Sequence, residues 1–415
     1  MHEQPINTVN QNPAHHHPRL VLWLSLAQLI SWGSIFYTFA LIMTPVEREL
    51  GLSRAQSSLA FSLALLVEGL LAYPVGRWID RGHERAVMTA GSVLAAVCLA
   101  LHSLVTGVLG LYAVWAGLGA AMAAVLYSPA FAVVTRRFPH DFRRAIITMT
   151  FLGGLASTVF IPLTAALMAG WGWRAALLSL ALLHLLVCAP LHAFMLRGAP
   201  GPRAVPLGDK TGSAGLRRIL LGAPFLLIGV FVVLMMAVTV AIPAHMVSLL
   251  REHGLREAWV IGIPASIGAI QVLGRLLLYF FEHHFDLHTA NRLIPCLIPL
   301  GLAALLATPL LAPAQAIWAL LLFVALYGMG NGMLTIVKGT AIAQYVNRDQ
   351  VATLNGALGL PLALSRASAP VLLGVLWTPQ LGYTRGLWLL LAMSLLGVAA
   401  LMLAQRMALA HRSAS

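Results

Sequence analysis

Runs of about 20 mostly apolar residues recur along the whole chain, separated by short segments that hold its charges, glycines and prolines. Because a helix satisfies its own backbone hydrogen bonds, such runs are stable as helices that cross the hydrocarbon core of a bilayer. Of the 415 residues, 60% are hydrophobic and 9% are charged, against about 25% charged in soluble domains. This composition excludes a soluble enzyme and indicates an all-α integral membrane protein.

Charged or Gly/Pro-rich breaks divide the chain into twelve such runs, which predict twelve transmembrane helices. The runs cover approximately 20–43, 55–76, 86–106, 109–134, 145–169, 175–196, 219–250, 259–281, 293–312, 316–337, 351–376 and 386–404. The longest connection, 197–218, is rich in Gly, Pro and charge and predicts an exposed linker. We therefore expect two six-helix bundles, 20–196 and 219–404, with cytoplasmic tails at 1–19 and 405–415.

The two halves of the sequence resemble each other. Gly76 and Arg77 at the end of helix 2 recur as Gly274 and Arg275 in helix 8, and helices 1 and 7 begin at equivalent places. Parallel repeats of this kind are typical of alternating-access carriers. The sequence therefore predicts two pseudo-symmetric bundles.

The distribution of Lys and Arg predicts the orientation. The chain has 26 Lys and Arg against 13 Asp and Glu, and most of the basic residues lie in alternate connections, which places those connections and both termini in the cytoplasm. Basic residues that punctuate apolar runs do not form the single solvated face of a nucleic-acid binder. We expect a monomer in the lipid bilayer of a bacterial cytoplasmic (inner) membrane, with no nucleic-acid partner.

Neither a cofactor nor a metal ion is expected. His184, Cys188 and His192 share one stripe of helix 6, but eight residues rise about 12 Å, too far for all three side chains to meet one ion. The sequence shows neither a GxxxxGK[ST] nucleotide-binding segment nor a nucleophile and base near one interface. An enzyme and an ATP-driven pump are therefore both disfavoured.

Three ionisable residues lie inside the apolar runs, where an unpaired charge is costly and a functional role is the default hypothesis. Arg275 lies about 9 Å from the cytoplasmic end of helix 8, so its side chain either reaches that end or faces a cavity. Arg366 lies about 22 Å inside helix 11. Because guanidinium groups hold carboxylates with two hydrogen bonds, we expect both arginines to bind an organic anion. The alternative for Arg366 is a hydrogen bond to helix carbonyls.

Glu68 lies about 15 Å inside helix 2 and has no charged neighbour three or four residues away on its own helix. It must therefore pair across helices or be protonated. We hypothesise that Glu68 couples transport to protons. The alternative is a static hydrogen bond between helices.

Uncharged polar residues predict a cavity between the halves. Tyr327 and Asn331 share one face of helix 10, Gln28, Trp32 and Tyr37 lie in helix 1, and Gln271 precedes Arg275 by one turn. With Arg275 and Arg366 they form the predicted substrate-binding set.

The segment GRWIDRGHER, with Gly76, Asp80, Arg81 and Arg85, resembles the signature between helices 2 and 3 of the major facilitator superfamily, and the resemblance extends over the whole chain. It implies that these four residues form a conformational gate, with Gly76 allowing close helix approach and the charged groups making bonds that switch with conformation. The sequence departs from the signature at His83, where the superfamily has glycine; its own glycine is Gly82.

Within the superfamily, the segments WGSIFYTFALIMTPVERELGLSRAQSS and LSRASAPVLLGVLWTPQLGYTRG are similar to the monocarboxylate and oxalate/formate porters. In that branch, basic residues match Arg275 and Arg366. Monocarboxylate members often have an aspartate where this chain has Gln271, so no proton switch can be assigned there. The glycine-rich helix 5 motif of proton-driven drug antiporters is absent.

The predicted function is secondary active transport of a small organic anion, a mono- or dicarboxylate, by alternating access with proton coupling or anion exchange. Efflux of an amphipathic drug or metabolite by proton antiport is the first alternative, since Trp32 and Tyr37 would suit such a cargo. A sensor on the same scaffold that does not transport is the second.

Overall fold

The computed structural model describes residues 17–138, 142–199, 213–281, 287–347 and 350–413, and nearly all of these are helical, with no β-strand among them. This confirms the predicted all-α class. The helices are α1 (His17–Ser31), α2 (Thr38–Leu50), α3 (Arg54–Trp78), α4 (Glu84–His102), α5 (Val108–Val125), α6 (Tyr127–Arg137), α7 (Phe142–Gly154), α8 (Ala156–Leu183), α9 (Ala189–Met195), α10 (Ser213–Leu220), α11 (Ala223–Glu252), α12 (Glu257–Phe281), α13 (Leu287–Ala307), α14 (Pro313–Tyr345), α15 (Val351–Ala357), α16 (Gly359–Leu376) and α17 (Thr384–Ser413).

Ten helical stretches among the described residues are long and apolar enough to cross a membrane. Two of them, Arg54–His102 and Arg144–Met195, have 49 and 52 residues, more than twice the roughly 20 that one crossing needs. Each contains one glycine in the left-handed region, Gly82 with φ 91° and Gly172 with φ 80°, where a straight helix is interrupted. The glycine at 82, instead of 83, therefore stands where this backbone turn requires one.

Parts of the predicted tails and linker fall outside the described residues, namely 1–16, 200–212, 414 and 415. The end of the predicted linker forms the short helix α10. Residues 405–413, which the sequence assigned to the tail, continue α17 without a break. The predicted span 316–337 is also too short, because α14 continues to Tyr345.

The hydrophobic core is divided along the sequence. One cluster consists mainly of residues between Phe225 and Ala404, and another of residues between Ile30 and Cys188. Few residues cross over: Ala40, Leu41 and Ile161 join the first, and Val240, Ala244 and Ala367 join the second. Each half of the chain therefore buries most of its own apolar side chains.

Glycines allow close contact between helices that lie on either side of the linker in sequence. A Cβ at Gly69 of α3 would lie 2.5 Å from the Ala363 Cβ of α16. A Cβ at Gly268 of α12 would lie 2.5 Å from the Ser157 Oγ of α8. At Gly76 a Cβ would meet no described heavy atom within 4 Å, so close helix approach there stays a prediction for another conformation.

Substituting Gly119 should destabilise the fold. A Cβ at this position would lie 2.2 Å from the backbone oxygen of Ala64, and overpacking against backbone typically costs about 1–3 kcal/mol. We expect Gly119→Ala to lower the melting temperature of the purified protein. Gly262→Ala is the matched control, because a Cβ at Gly262 meets no described atom within 4 Å. Equal melting temperatures for the two variants would contradict this packing.

Candidate functional site

A cavity of about 140 Å³ is lined by the π-helical turn Trp32–Tyr37 and by α6, α7, α11, α12, α14 and α16. Six residues of the predicted binding set line it: Trp32, Tyr37, Gln271, Arg275, Asn331 and Arg366. The other lining residues are Phe36, Tyr127, Gly153, Gly154, Met236, Thr239, Val240 and Pro243. The structure thus brings together polar and charged residues from both halves of the sequence, and their binding of a substrate stays a prediction.

One wall of the cavity is a π-helical turn, Trp32–Tyr37, between α1 and α2. Such turns are frequent at functional sites because they redirect side chains within a helix. The Trp32 ring packs against Phe36 and Tyr127, each with ring centroids 5.0 Å apart. The buried Trp32 Nε1 has no hydrogen-bond acceptor among the described residues, which makes it available to a ligand.

Arg275 lines the cavity and is held by backbone carbonyls. Its Nη1 donates to the Thr150 oxygen at 2.6 Å, and its Nε donates to the Gly332 oxygen at 3.2 Å. Room for the guanidinium comes partly from Gly154, where a Cβ would lie 2.9 Å from Nη1. The sequence left open whether the Arg275 side chain reaches the cytoplasmic end of the helix or faces a cavity, and in the structure it faces the cavity. Within the described residues, Arg275 has no carboxylate within ion-pair distance.

Arg366 and Glu68 form an ion pair between α16 and α3. The Arg366 Nη2 lies 3.0 Å from Glu68 Oε2 and Nη1 lies 3.5 Å from Oε1, so the contact is bidentate. Both side chains are mostly buried, with 18% and 13% exposed. From the sequence, Glu68 had either to pair with a residue of another helix or to be protonated. In the structure it pairs with Arg366. The interaction was missed because each residue was assigned a separate role.

Lys338 of α14 is a further cation near the cavity that sequence reasoning missed. Its Nζ lies 3.3 Å from the sulfur of Met236, which lines the cavity. The predicted helix ended at 337, which placed Lys338 in a solvated connection. The available signal was its spacing from Asn331: seven residues place the two on the same helix face.

Gln28 and Tyr327, the other two residues of the predicted set, are fully buried and do not line the cavity. The Gln28 Nε2 donates to the Val125 oxygen at 2.6 Å. That carbonyl lacks its ordinary intrahelical donor because the residue four positions later is Pro129, which has no N–H. The Tyr327 hydroxyl lies 3.4 Å from the Thr239 oxygen, and its ring stacks on Phe323.

Substituting Gln28 should therefore lower stability without affecting ligand binding. Gln28→Leu leaves a buried carbonyl without a partner, which typically costs about 1–3 kcal/mol. We expect a lower melting temperature with unchanged ligand affinity. Gln271→Leu, a matched change in the cavity wall, should weaken binding without this loss of stability. Weaker ligand binding by Gln28→Leu at an unchanged melting temperature would show that Gln28 contacts the ligand.

The signature segment runs from the last turn of α3 to the first turn of α4. The Asp80 backbone oxygen accepts a hydrogen bond from Arg136, and its carboxylate Oδ1 lies 3.9 Å from Arg136 Nη1. The Arg85 Nε donates to the Ala193 oxygen at 2.7 Å. Arg81 is exposed. Three residues of the signature thus lie at one end of the molecule, next to α6 and α9.

Glu84, which the sequence analysis did not single out, is the buried centre of this end. Its carboxylate is fully buried, with Arg137 Nε at 2.5 Å and Arg136 Nε at 3.7 Å. Arg137 Nη2 also donates to the Leu196 oxygen at 2.8 Å. We call Asp80, Glu84, Arg136 and Arg137 the Glu84 cluster. The cluster ties α4 and α6 to the end of α9.

A second cluster surrounds the beginning of α3. Arg54 pairs with Glu47 (Nε–Oε1 3.1 Å), donates from Nη1 to the Tyr383 hydroxyl at 2.6 Å, and lies over the Trp377 ring, 5.0 Å from its centroid. His245 Nδ1 lies 3.0 Å from the same hydroxyl. We call Glu47, Arg54, His245, Trp377 and Tyr383 the Tyr383 cluster. It joins the two halves of the sequence, and sequence reasoning missed it.

The two clusters lie at opposite ends of the membrane-spanning region. They flank α3, whose 25 residues rise about 37 Å, more than the roughly 30 Å of a bilayer core. Glu68 lies between them, near the level of the cavity. The molecule therefore has an internal polar site and a group of charged residues at each end.

A bundle of membrane-length helices around an internal polar site defines a polytopic helical membrane protein. The sequence profile of the Major Facilitator Superfamily matches residues 24–286, more than half of the sequence. The chain belongs to the Major Facilitator Superfamily. The prediction of that superfamily is confirmed, as is the prediction of a membrane protein of a transporter family rather than an enzyme.

Two curated relatives were identified by sequence. The uncharacterized MFS-type transporter YcxA of Bacillus subtilis (strain 168) is 25% identical over 265 residues, which cover 62% of this chain and 63% of that protein. An uncharacterized 38 kDa protein encoded in a 23S RNA operon of Thermoproteus tenax is 28% identical over 164 residues, 39% of this chain and 43% of that protein. The chain thus spans less than two thirds of either relative.

Solved structures share the fold over nearly the whole chain. A bacterial homologue of the human lysosomal transporter Spinster, inward-facing and unoccupied, has a TM-score of 0.71 at 18% identity and covers 96% of this chain and 98% of its own. The nucleoside transporter NupG has a TM-score of 0.72 at 15% identity, with 93% and 99% covered. A bacterial homologue of human drug peptide transporters has 0.66 at 16% identity, with 95% and 97% covered.

Proposed function

We propose that the protein is a secondary active transporter that moves a small organic anion, a mono- or dicarboxylate, by alternating access. The observation that carries this proposal is the charge of the central cavity. Arg366 is neutralised by Glu68, whereas Arg275 has only carbonyl partners among the described residues. A cation held next to a cavity at membrane depth requires an anion, and a transported carboxylate would supply it.

The topology belongs to the same proposal. Interruption at Gly82 and at Gly172 would divide the two longest stretches into two passes each, which gives twelve passes from ten stretches. The divided core supports two bundles, 20–196 and 219–404. We place both termini in the cytoplasm of a bacterium and the chain as a monomer in its inner membrane, because of the distribution of Lys and Arg. The similarity to monocarboxylate and oxalate/formate porters is part of this proposal.

The Glu68–Arg366 pair gives the proposal a coupling mechanism. Glu68 as a carboxylate neutralises Arg366, and protonation of Glu68 would release the guanidinium. A released Arg366 could then bind the substrate carboxylate from the cavity that it lines. Proton binding and anion binding would thus favour each other, which is the requirement for proton-coupled transport.

The two end clusters would act as alternating gates. The Tyr383 cluster joins both halves of the chain in this conformation. It would thereby close that end. In the opposite conformation it would separate, while the signature residues Asp80, Arg81 and Arg85 would contact the other half. Arg–carboxylate and cation–π contacts suit this task because they form and break as whole units.

A substitution at Asp80 tests the gate. Its side chain is 66% exposed, so Asp80→Asn should change the melting temperature very little. We expect the variant to lose at least about 10-fold in transport rate in proteoliposomes, which corresponds to a rise of about 1.4 kcal/mol in the activation free energy of the rate-limiting step. Glu257→Asn, another exposed carboxylate, is the control and should transport normally. Normal transport by Asp80→Asn would refute the gate at this position.

The anion proposal itself is tested by the thermal stability of the purified protein with a panel of mono- and dicarboxylates, aromatic acids and cationic drugs. A ligand that binds only the folded protein raises its apparent melting temperature. We expect a rise with carboxylates. A rise only with hydrophobic cations would overturn the proposal.

Efflux of an amphipathic drug or metabolite is the second candidate. It is favoured by the aromatic side of the cavity, formed by Trp32, Phe36, Tyr37 and Tyr127. Aromatic faces attract both apolar groups and organic cations. The same panel separates the candidates, because drug binding would survive the loss of Arg275. A protein that binds an anion but does not move it into proteoliposomes would be the sensor that the sequence left open.

A further inference from the structure

Lys338 lies next to the wall of the central cavity, and the proposed function assigns no role to it. It follows Asn331 by seven residues in α14 and so lies on the same face of that helix. Side chains on a helix lean toward its N-terminus, which for Lys338 is the direction of Asn331 and the cavity. Its Nζ accordingly reaches the Met236 sulfur in the cavity wall, at 3.3 Å.

Lys338 lacks a negative partner among the described residues. Its described contact is the thioether sulfur of Met236, which is a weak acceptor for an ammonium group. Glu68, the carboxylate that pairs with Arg366 of the cavity wall, already binds that arginine with both oxygens. Two cationic side chains, Arg275 in the cavity wall and Lys338 beside Met236 of that wall, therefore have no carboxylate partner in the described part of the chain. Such charges are costly at membrane depth unless a ligand compensates them.

We propose that Lys338 is a specificity-determining residue that binds a second anionic group of the substrate, so that the site selects dicarboxylates over monocarboxylates. This inference rests on the proposed function. The Arg275 Nε is anchored at Gly332, and Lys338 lies six residues further along α14, a rise of about 9 Å. Because the lysine side chain points toward the N-terminus of α14, its ammonium group lies closer to Arg275 than this rise along the helix suggests. A short dicarboxylate can thus meet one cation with each of its ends.

The test compares two probes of similar size and different charge, succinate and monomethyl succinate, on the full-length purified protein. Affinities are obtained from thermal-stability titrations at one pH and one salt concentration. For the wild-type protein we expect succinate to bind at least about 10-fold more tightly. Lys338→Gln should weaken succinate binding by about 10-fold or more and leave the monoester unchanged. Lys338→Arg, which keeps the charge, should retain the preference.

Several outcomes would overturn the assignment of Lys338. These are an unchanged succinate affinity in Lys338→Gln, an equal loss for both probes, or a wild-type protein that binds both probes equally while still requiring Arg275. A wild-type protein that binds no carboxylate at all would instead overturn the proposed function. If Lys338→Gln does not fold, Lys338→Met, which is apolar beside Met236, replaces it with the same expected outcome.

Discussion

Replacing Arg275 with glutamine should weaken binding of the transported anion by at least about 100-fold and abolish its uptake into proteoliposomes. Removing one partner of a buried charge pair typically costs about 3–5 kcal/mol, and about 1.4 kcal/mol corresponds to 10-fold in affinity. The carboxylate would then lie in the cavity without its guanidinium. The fold should persist, because a glutamine amide can still donate one of the two hydrogen bonds that hold Arg275 to carbonyls.

Two further variants make this result specific. Arg292→Gln removes the same charge away from the cavity, where Arg292 Nε donates to Gln405, and its anion affinity should equal that of the wild-type protein. Arg275→Lys keeps the charge but loses the planar group that donates two parallel hydrogen bonds, so it should bind with intermediate affinity. Wild-type affinity in Arg275→Gln would exclude an anion site here and favour the aromatic cavity of the efflux candidate.

Much of the cavity wall follows from sequence because of one physical rule. A polar or charged residue inside an apolar run must face something other than lipid. That rule selected Arg275, Arg366, Gln271 and Asn331, and all four line the cavity. It cannot distinguish a residue that faces the cavity from one that donates a hydrogen bond to a backbone carbonyl left unpaired at a helix break. Gln28 is the example, since it satisfies the carbonyl at Val125.

Other features depend on contacts between distant residues. Glu68 and Arg366 are 298 positions apart, and their own helices give no indication of their pairing except that neither has a local partner. Lys338 was missed for a simpler reason: the apolar run ends just before it, whereas the helix continues to Tyr345. A helix that extends beyond the hydrophobic run can carry a long cationic side chain back to the cavity. Run lengths alone do not reveal this.

The Tyr383 cluster shows a further limit of sequence reasoning. His245 is fully buried in a helix whose neighbouring residues are apolar, and its partner Tyr383 lies outside every predicted span. Sequence patterns identify residues that are unusual in their own helix. They do not identify a contact that exists only when two halves of a chain meet at one end of the molecule.

Replacing Glu68 with glutamine should abolish substrate accumulation driven by an imposed pH gradient, with a loss of at least about 10-fold, while exchange of labelled for unlabelled substrate continues. Glutamine is a fixed mimic of the protonated carboxyl group, so Arg366 would be released permanently and no proton could be carried. Exchange requires only that the loaded site changes its access. The measurement is uptake into proteoliposomes with and without a pH gradient, alongside counterflow.

Glu49→Gln is the matched control for this prediction. Glu49 is a carboxylate whose side chain is 45% exposed and which pairs with Arg174 near one end of the molecule, so its loss should leave gradient-driven accumulation intact. Undiminished accumulation by Glu68→Gln would remove Glu68 from the coupling mechanism.

The pair also allows a double-variant comparison. Arg366→Gln alone leaves Glu68 without its buried partner, so its reduced activity would combine destabilisation with any loss of substrate contact. In the Glu68→Gln background that penalty is absent. If Arg366 binds the substrate directly, the double variant should bind the anion less tightly than Glu68→Gln alone. If Arg366 serves only to neutralise Glu68, the two should bind equally well, and Arg275 would be the main anchor of the anion.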